Sequence, residues 1–346
     1  MATPVRTRKG AETEKRKADH VSIALTRQVE ARRRTSGLEC VEFVHQALPE
    51  LDFSSIDTSV SFLGKKLKAP LMITAATGGF EKAGAINKAL ASACEEAGIA
   101  FGLGSQRAMI ENHKLVDSYK VRGVAPNVFL CGNIGAVQLK HYPCKLIAHA
   151  VSEIEADALC VHLNALQEVV QPEGDRDWSG ALEAIATLCA EVGVPVIAKE
   201  TGSGISGDVA RELANAGVKA IDVSGVGGTS WSGVESYRGA AETGNTFWDW
   251  GITTAESLKE CSHATRLPLI ASGGVRNGLD VARAIRLGAT LGGGALPFVK
   301  AHAKGSQKAV AAEISRWAKE LKIAMLLSRS RNLQELARAK IAERHI

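Results

Sequence analysis

Between residues 69 and 300 short apolar runs alternate with helix-length amphipathic segments, and the number of runs limits the folds open to the chain. Eight runs read as strands, at residues 70–74, 99–102, 128–132, 158–163, 196–199, 220–224, 269–272 and 289–293. Each is apolar throughout, the pattern of strands covered on both faces of a parallel sheet. Helical patterns separate them at 83–97, 114–121, 144–155, 180–192, 206–216, 253–262 and 278–287. Four of these end in the same stop, a glycine before the next strand: Gly98, Gly193, Gly217 and Gly288. Eight βα units predict an α/β fold closed into a (β/α)8 TIM barrel. An open doubly wound sheet would carry a G-x-G-x-x-G turn after its first strand, where this chain has Thr77-Gly78-Gly79.

The remainder divides around that unit. Residues 1–15 read as a disordered basic arm, and 16–346 as one domain with a cap at 16–68, the barrel at 69–300 and closing helices at 301–346. A small hairpin is expected across 60–66 in the cap. In the closing segment Ile314, Trp317, Leu321 and Ala324 have helical spacing and read as core or subunit contacts, and Leu326 and Leu327 suggest further subunit contacts.

The net charge of +5 sits in the first 35 residues, where ten Lys and Arg face four acids, so the body is close to neutral. That arm can meet an anion, but an aromatic content of 5% is poor for stacking on bases, and no nucleic-acid partner is expected. No run of eighteen apolar residues and no secretory pattern is present, which predicts a cytoplasmic protein with no membrane partner. Seven cysteines, odd in number and without a C-x-x-C pair, read as reduced core thiols.

In this fold, chemistry belongs at the carboxyl ends of the strands, and phosphates bind after strands seven and eight. Ser272-Gly273-Gly274-Val275-Arg276-Asn277-Gly278 follows the seventh run, and Gly292-Gly293-Gly294-Ala295-Leu296 the eighth. Glycine lets backbone N–H groups approach an anion at a helix start, although it also packs helix ends against strands. Other strand ends supply Ala75-Ala76-Thr77, Ser105-Gln106-Arg107, Asn133, Lys199, Ser224 and Thr229, a lining of small residues and edge donors suited to a flat polar heterocycle. Lys199 can face a flavin's pyrimidine edge, form a Schiff base or snorkel from its strand end. The fourth run ends in His162-Leu163-Asn164-Ala165-Leu166-Gln167-Glu168, whose polar groups interrupt a buried strand. Pro172-Glu173-Gly174-Asp175-Arg176-Asp177 then forms a charged loop.

These motifs, in order, resemble the type II, flavin-dependent isopentenyl-diphosphate isomerases. The resemblance is carried by Arg16-Lys17-x-Asp19-His20, the Thr77-Gly78-Gly79 turn, Gly102 to Arg107, Asn133 to Ala136, His162 to Glu168 and Pro172 to Asp177. It continues through Lys199 to Ser206, Gly227 to Trp231, Phe247 to Gly251 and Ser272 to Gly278, spanning residues 16 to about 300. It departs at Ala75-Ala76, where Gly or Ser followed by Met is commoner. The resemblance implies a barrel binding FMN that interconverts isopentenyl and dimethylallyl diphosphate by moving a proton and a double bond. Reduced flavin, NADPH as its reductant, Mg²⁺ and a homotetramer or homo-octamer are implied as well.

Carried over residue by residue, the resemblance assigns Ala75, Ala76, Thr77, Ser105, Asn133, Lys199, Ser224 and Thr229 to FMN, with its phosphate on Gly273, Gly274, Val275, Arg276, Ala295 and Leu296. It assigns the diphosphate to Arg16, Lys17, Ser105, Gln106, Arg107, His162 and Gln167, with His162 and Gln167 catalytic and Glu168 on Mg²⁺. Arginine's paired donors suit phosphate oxygens, and Mg²⁺ needs only one carboxylate beside phosphates and waters. A 2-hydroxy acid oxidase would need a histidine base in a Ser-Asn-His-Gly type of loop, which none of the nine histidines provides. An inosine-monophosphate dehydrogenase style of barrel would need a cysteine where Gly227 to Trp231 stands. A silent flavin scaffold would have no use for Glu168 with Arg107 and Gln167.

Overall fold

The computed structural model describes residues 5–75 and 77–342. Helix α1 (Val5–Thr26) leads into a hairpin of β1 (Val60–Phe62) and β2 (Lys65–Leu67). Eight parallel strands follow: β3 (Leu71–Ile73), β4 (Ala100–Gly102), β5 (Phe129–Gly135), β6 (Ala158–Leu163), β7 (Val196–Glu200), β8 (Ala220–Asp222), β9 (Leu269–Ala271) and β10 (Leu291–Gly294). They close in sequence order, with β10 pairing β3, which makes the expected (β/α)8 barrel.

Between and after the strands lie α2 (Ala83–Ala97), α3 (Arg107–Glu111), α4 (Cys144–Glu153), α5 (Ala165–Val170), α6 (Ala181–Glu191) and α7 (Gly207–Asn215). Then come α8 (Trp231–Ser236), α9 (Ala241–Thr246), α10 (Thr254–Ala264), α11 (Gly278–Arg286), α12 (Leu296–Leu327) and α13 (Leu333–Leu336). Local chemistry sets their ends. Ser206, Thr253 and Asn277 cap α7, α10 and α11 with their side chains, and the four glycine stops all have positive φ.

Inside the barrel, Met72, Phe129, Cys131, Cys160, Ile197, Ile270 and Leu291 pack together with Phe62 and Leu67 of the hairpin. Those strand residues lie toward the amino ends, so the hairpin plugs that end and the carboxyl ends remain for a site. A second apolar layer joins the outer strand faces to the helices, with Trp317, Ile314 and Leu321 of α12 fully buried in it. The expected thiols are unpaired, and Cys94, Cys131, Cys160 and Cys261 are buried. Among the described residues no helix is long and apolar enough to cross a membrane.

Four expectations need correction. The boundary drawn at residue 16 falls within α1, which starts at Val5: this stretch has one glycine, no proline and many helix-forming Ala, Glu, Lys and Arg residues. The helix also rests against α3, α8 and α12. Residues 113–118 form a 3-10 segment in place of a helix at 114–121, because Asn112 turns back to cap Lys114. Strand β5 runs three residues past Gly132, its ladder to β6 continuing to the Gly135–His162 pair. Helices α8 and α9, rich in Ser and Gly, escape periodicity and are held by the Ser230 cap and the bond from Ser232 to Gly244 O.

Candidate active site

The strand carboxyl ends and α1 enclose a cavity of about 270 Å³. A second cavity, bordered by Gln167, Glu200 and Trp231, measures about 10 Å³ and is water-sized, so the first is the candidate site.

One part of the lining is that expected for a flat ring: Ala75, Thr77, Ser105, Asn133, Lys199, Ser224 and Thr229 all face the cavity. Lys199 emerges at the end of β7, nearly fully buried, with its ammonium 2.6 Å from Asp222 Oδ2 and 3.2 Å from Ser272 Oγ. Ser272 in turn donates to Asp222 Oδ1 at 2.6 Å. The ion pair gives the buried ammonium a counter-charge. Ser224 sits in the left-handed region at φ 35°, a conformation that costs on the order of 1 kcal/mol and is retained here at the cavity wall.

Of the residues expected at the phosphate, Gly273, Gly274, Arg276, Ala295 and Leu296 are all at the cavity surface. Its glycines also have a packing reason. A Cβ on Gly228 would stand 2.6 Å from Gly274 N, so the loops after β8 and β9 meet backbone to backbone. Two of the expected residues have side chains engaged elsewhere. The Val275 side chain is buried in the core and does not line the cavity, which leaves only its backbone for a phosphate. The Arg276 guanidinium is bound to Glu30 of the segment after α1, and its backbone N–H donates to Asp280. Ala76 lies outside the described residues.

The other part is cationic. Arg16 and Lys17 on α1 and Arg107 on α3 line the cavity together with Ser105, His162 and Gln167. Arg107 Nε donates to Glu111 at 2.8 Å. Lys17 Nζ donates to Ser105 O at 2.5 Å and to Tyr119 Oη at 2.9 Å, and burial, then Arg16, bring its pKa down to about 7. His162 Nδ1 bonds Asn133 Oδ1 at 2.7 Å; burial, followed by Lys17 and Lys199, brings its pKa down to about 3 and keeps the ring neutral. Gln106, expected at the diphosphate, is not in the cavity. Its amide is spent on Asn133 N and Ala150 O, which joins β4 to β5 and α4.

Glu168 is buried on α5 and lines the cavity. Asn164 Nδ2 donates to its Oε1 at 3.1 Å and Asp175 N to its Oε2 at 2.9 Å. The charged loop wraps close: a Cβ on Gly174 would lie 1.9 Å from Glu168 O, so only glycine fits there. Among the described residues no three His, Cys, Asp or Glu side chains form a metal-binding group.

Sequence reasoning missed a second layer here. Glu235 on α8 is completely buried and accepts from His20 Nε2 at 2.9 Å, Gln167 Nε2 at 3.1 Å and Arg238 at 2.6 Å. Burial raises its pKa, but hydrogen bonds from His20 and Gln167 with the Arg238 charge hold it below the ordinary carboxylate range. With its amide turned so that the nitrogen faces Glu235, Gln171 donates to Glu235 Oε1 at 3.2 Å and accepts from Arg16 at 3.0 Å. Only His20, spaced four residues from Arg16 on one helix face, carried a sequence signal; Glu235 lies on a helix that periodicity did not reveal.

The chain matches the FMN-dependent dehydrogenase family over residues 10–115 and 147–343. It is 51% identical over 344 residues to the isopentenyl-diphosphate delta-isomerase of Pyrococcus furiosus, covering 96% of this chain and 87% of that protein. It is 49% identical over 334 residues to that of Archaeoglobus fulgidus, covering 95% of each. In structure it is similar to a lactate oxidase of Pediococcus acidilactici, with a TM-score of 0.70 at 14% identity over 99% of this chain and 95% of that one. A mandelate oxidase variant gives 0.66 at 18% identity over 93% and 95%. Those oxidases share the barrel fold. This chain is a member of the FMN-dependent isopentenyl-diphosphate delta-isomerase family.

Proposed function

We propose that the protein interconverts isopentenyl and dimethylallyl diphosphate by allylic proton transfer, with FMN, NADPH as reductant and Mg²⁺. The observation that carries this reading is the meeting of Arg16, Lys17 and Arg107 with one carboxylate, Glu168, in the same cavity as Lys199 and Asn133. Three cations and a lone carboxylate suit a Mg²⁺ diphosphate better than the single carboxylate of a 2-hydroxy acid.

The lining fits FMN: Ala75, Gly78, Gly104 and Gly228 leave room beside a ring, and Thr77, Asn133 and Lys199 offer edge donors. Reduced FMN, when bound, supplies the acid and base atom. The protein's own residues orient the substrate. Arg16, Lys17 and Arg107 hold the diphosphate, Gln167 is fixed toward the cavity by Glu235, and neutral His162 offers no proton near neutral pH. Mg²⁺ fits Glu168 with phosphate oxygens and waters completing its shell. The neighbouring Asn164 Oδ1 is buried without a hydrogen-bond partner, an acceptor that a cation-bound water would satisfy. Closure of the site by α1 keeps solvent from the reacting carbons.

The test is anaerobic incubation of the protein with FMN, NADPH, Mg²⁺ and isopentenyl diphosphate, followed by proton NMR. Dimethylallyl diphosphate is expected only with reduced flavin and Mg²⁺. Absence of conversion under those conditions contradicts the reading. We also infer a homotetramer or homo-octamer, supported by Ile323 and Leu327, which are exposed on α12; light scattering giving a monomer would contradict it.

A further inference from the structure

Arg16, Lys17 and Arg107, the three cavity cations proposed to meet the diphosphate, are held in different ways. Gln171 holds Arg16, and Ser105 O and Tyr119 hold Lys17, all of them neutral groups. Among the described residues Glu111 is the one carboxylate ion-paired with any of the three. It lies outside the cavity lining, at the end of α3, one turn beyond Arg107.

Both of its oxygens are used, and by three elements. Oε1 accepts from Arg107 Nε at 2.8 Å and from Tyr142 Oη at 3.0 Å, and Oε2 accepts from Thr13 Oγ1 at 3.2 Å. Thr13 belongs to α1, one turn before Arg16 and Lys17. Tyr142 belongs to the segment leading into α4. Burial raises the carboxyl's pKa, but the hydrogen bond and charge of Arg107 outweigh it and keep the group ionised. A single bond through Nε engages the inner edge of the guanidinium and leaves the paired Nη donors for an anion.

We propose that Glu111 is a positioning residue for diphosphate binding. It aims the Arg107 fork into the cavity and, through Thr13, ties that fork to the helix carrying Arg16 and Lys17, so that the three cations meet one anion in a fixed arrangement. The proposal rests on the diphosphate reading of the site. It assigns Glu111 no contact with substrate or cofactor. Removing its charge therefore weakens anion binding and leaves the proton-transfer step alone.

The experiment compares FMN-loaded wild type with Glu111→Gln, reading KM and kcat for isopentenyl diphosphate and the Kd of inorganic pyrophosphate with Mg²⁺. Glutamine keeps the size and one acceptor, so KM and the pyrophosphate Kd should both rise about tenfold while kcat stays within about twofold. FMN affinity should not change. Thr13→Val and Tyr142→Phe each remove one support and should raise KM about twofold to threefold at constant kcat; they carry the test if Glu111→Gln does not fold. Unchanged KM and pyrophosphate Kd, or a fall in kcat alone, would overturn the proposal. If wild type binds pyrophosphate but converts nothing, weaker binding by Glu111→Gln still supports the positioning role while the isomerase reading falls. A wild type that does not bind pyrophosphate overturns both.

Discussion

Lys17 and Tyr119 converge on one acceptor, the Ser105 carbonyl oxygen, at 2.5 and 2.6 Å. The lysine's direct partners are therefore neutral, and the charge of Glu111 offsets its burial only in part. An anion bound in the cavity, as proposed, would stabilise its charge.

That arrangement gives anion binding a pH dependence. With its pKa brought down to about 7, Lys17 is charged below neutrality and loses its proton above it. A bound diphosphate favours the charged amine, so binding takes up a proton above pH 7. Affinity should be full below that point and fall by up to about tenfold per pH unit above it. Lys17→Arg keeps its charge and should flatten the profile. Calorimetric Kd values for inorganic pyrophosphate between about pH 6 and 9 test this, since ionisation of the ligand is common to both proteins. Parallel profiles for the two would rule out Lys17 as the source.

The Lys199–Asp222 pair should be costly to break. Asp222→Asn leaves an ammonium buried without its counter-charge, a change that typically costs about 3 to 5 kcal/mol. The melting temperature should drop and FMN binding weaken, because the lysine's aim also depends on Asp222 and Ser272. Conversion of Lys199 to Met alongside Asp222→Asn should restore stability without restoring FMN affinity. A single mutant as stable as wild type would show that the pair is not buried as described.

His162 is expected to stay neutral across the physiological range. Its folded pKa, near 3, lies below the ordinary imidazole value, so unfolded protein binds more protons between about pH 3 and 6.5. The residue's contribution to stability is complete above that window and is lost as pH falls through it. Nitrogen-15 NMR of the ligand-free protein should show one imidazole that does not titrate between about pH 5 and 8. Disappearance of that signal in His162→Gln would assign it; titration near the ordinary value would remove the case for a neutral ring.

Glu168→Gln should retain FMN and lose Mg²⁺-dependent turnover, because Glu168 is the carboxylate lining the cavity with Arg16, Lys17 and Arg107. Chelation of Mg²⁺ should reduce wild-type turnover in the same way and be reversed by adding the metal back. Full activity in the variant would take Glu168 out of the metal role.

Much of this was legible in sequence because the barrel repeats one physical solution. Apolar runs such as 158–163 gave β6 to the residue, and the glycine stops gave helix ends, since burial on both faces and left-handed backbone leave direct marks. Cavity residues near strand ends were legible for the same reason. What was not legible depended on tertiary partners. Gln106 sits between two site residues yet turns into the β4–β5–α4 junction, and Arg276 is taken by Glu30, 246 residues away in sequence. Glu111 and Glu235 read as ordinary helix acids until the fold brought Arg107 and Gln167 to them.

The most direct test of the central claim is the number of dimethylallyl diphosphate molecules formed per NADPH oxidised, measured anaerobically. An isomerase uses the reductant only to prime its flavin, so the ratio should rise far above one as the reaction proceeds. A ratio that stays at or below one would mean that each turnover consumes reducing equivalents, and would contradict isomerisation as the function of this site.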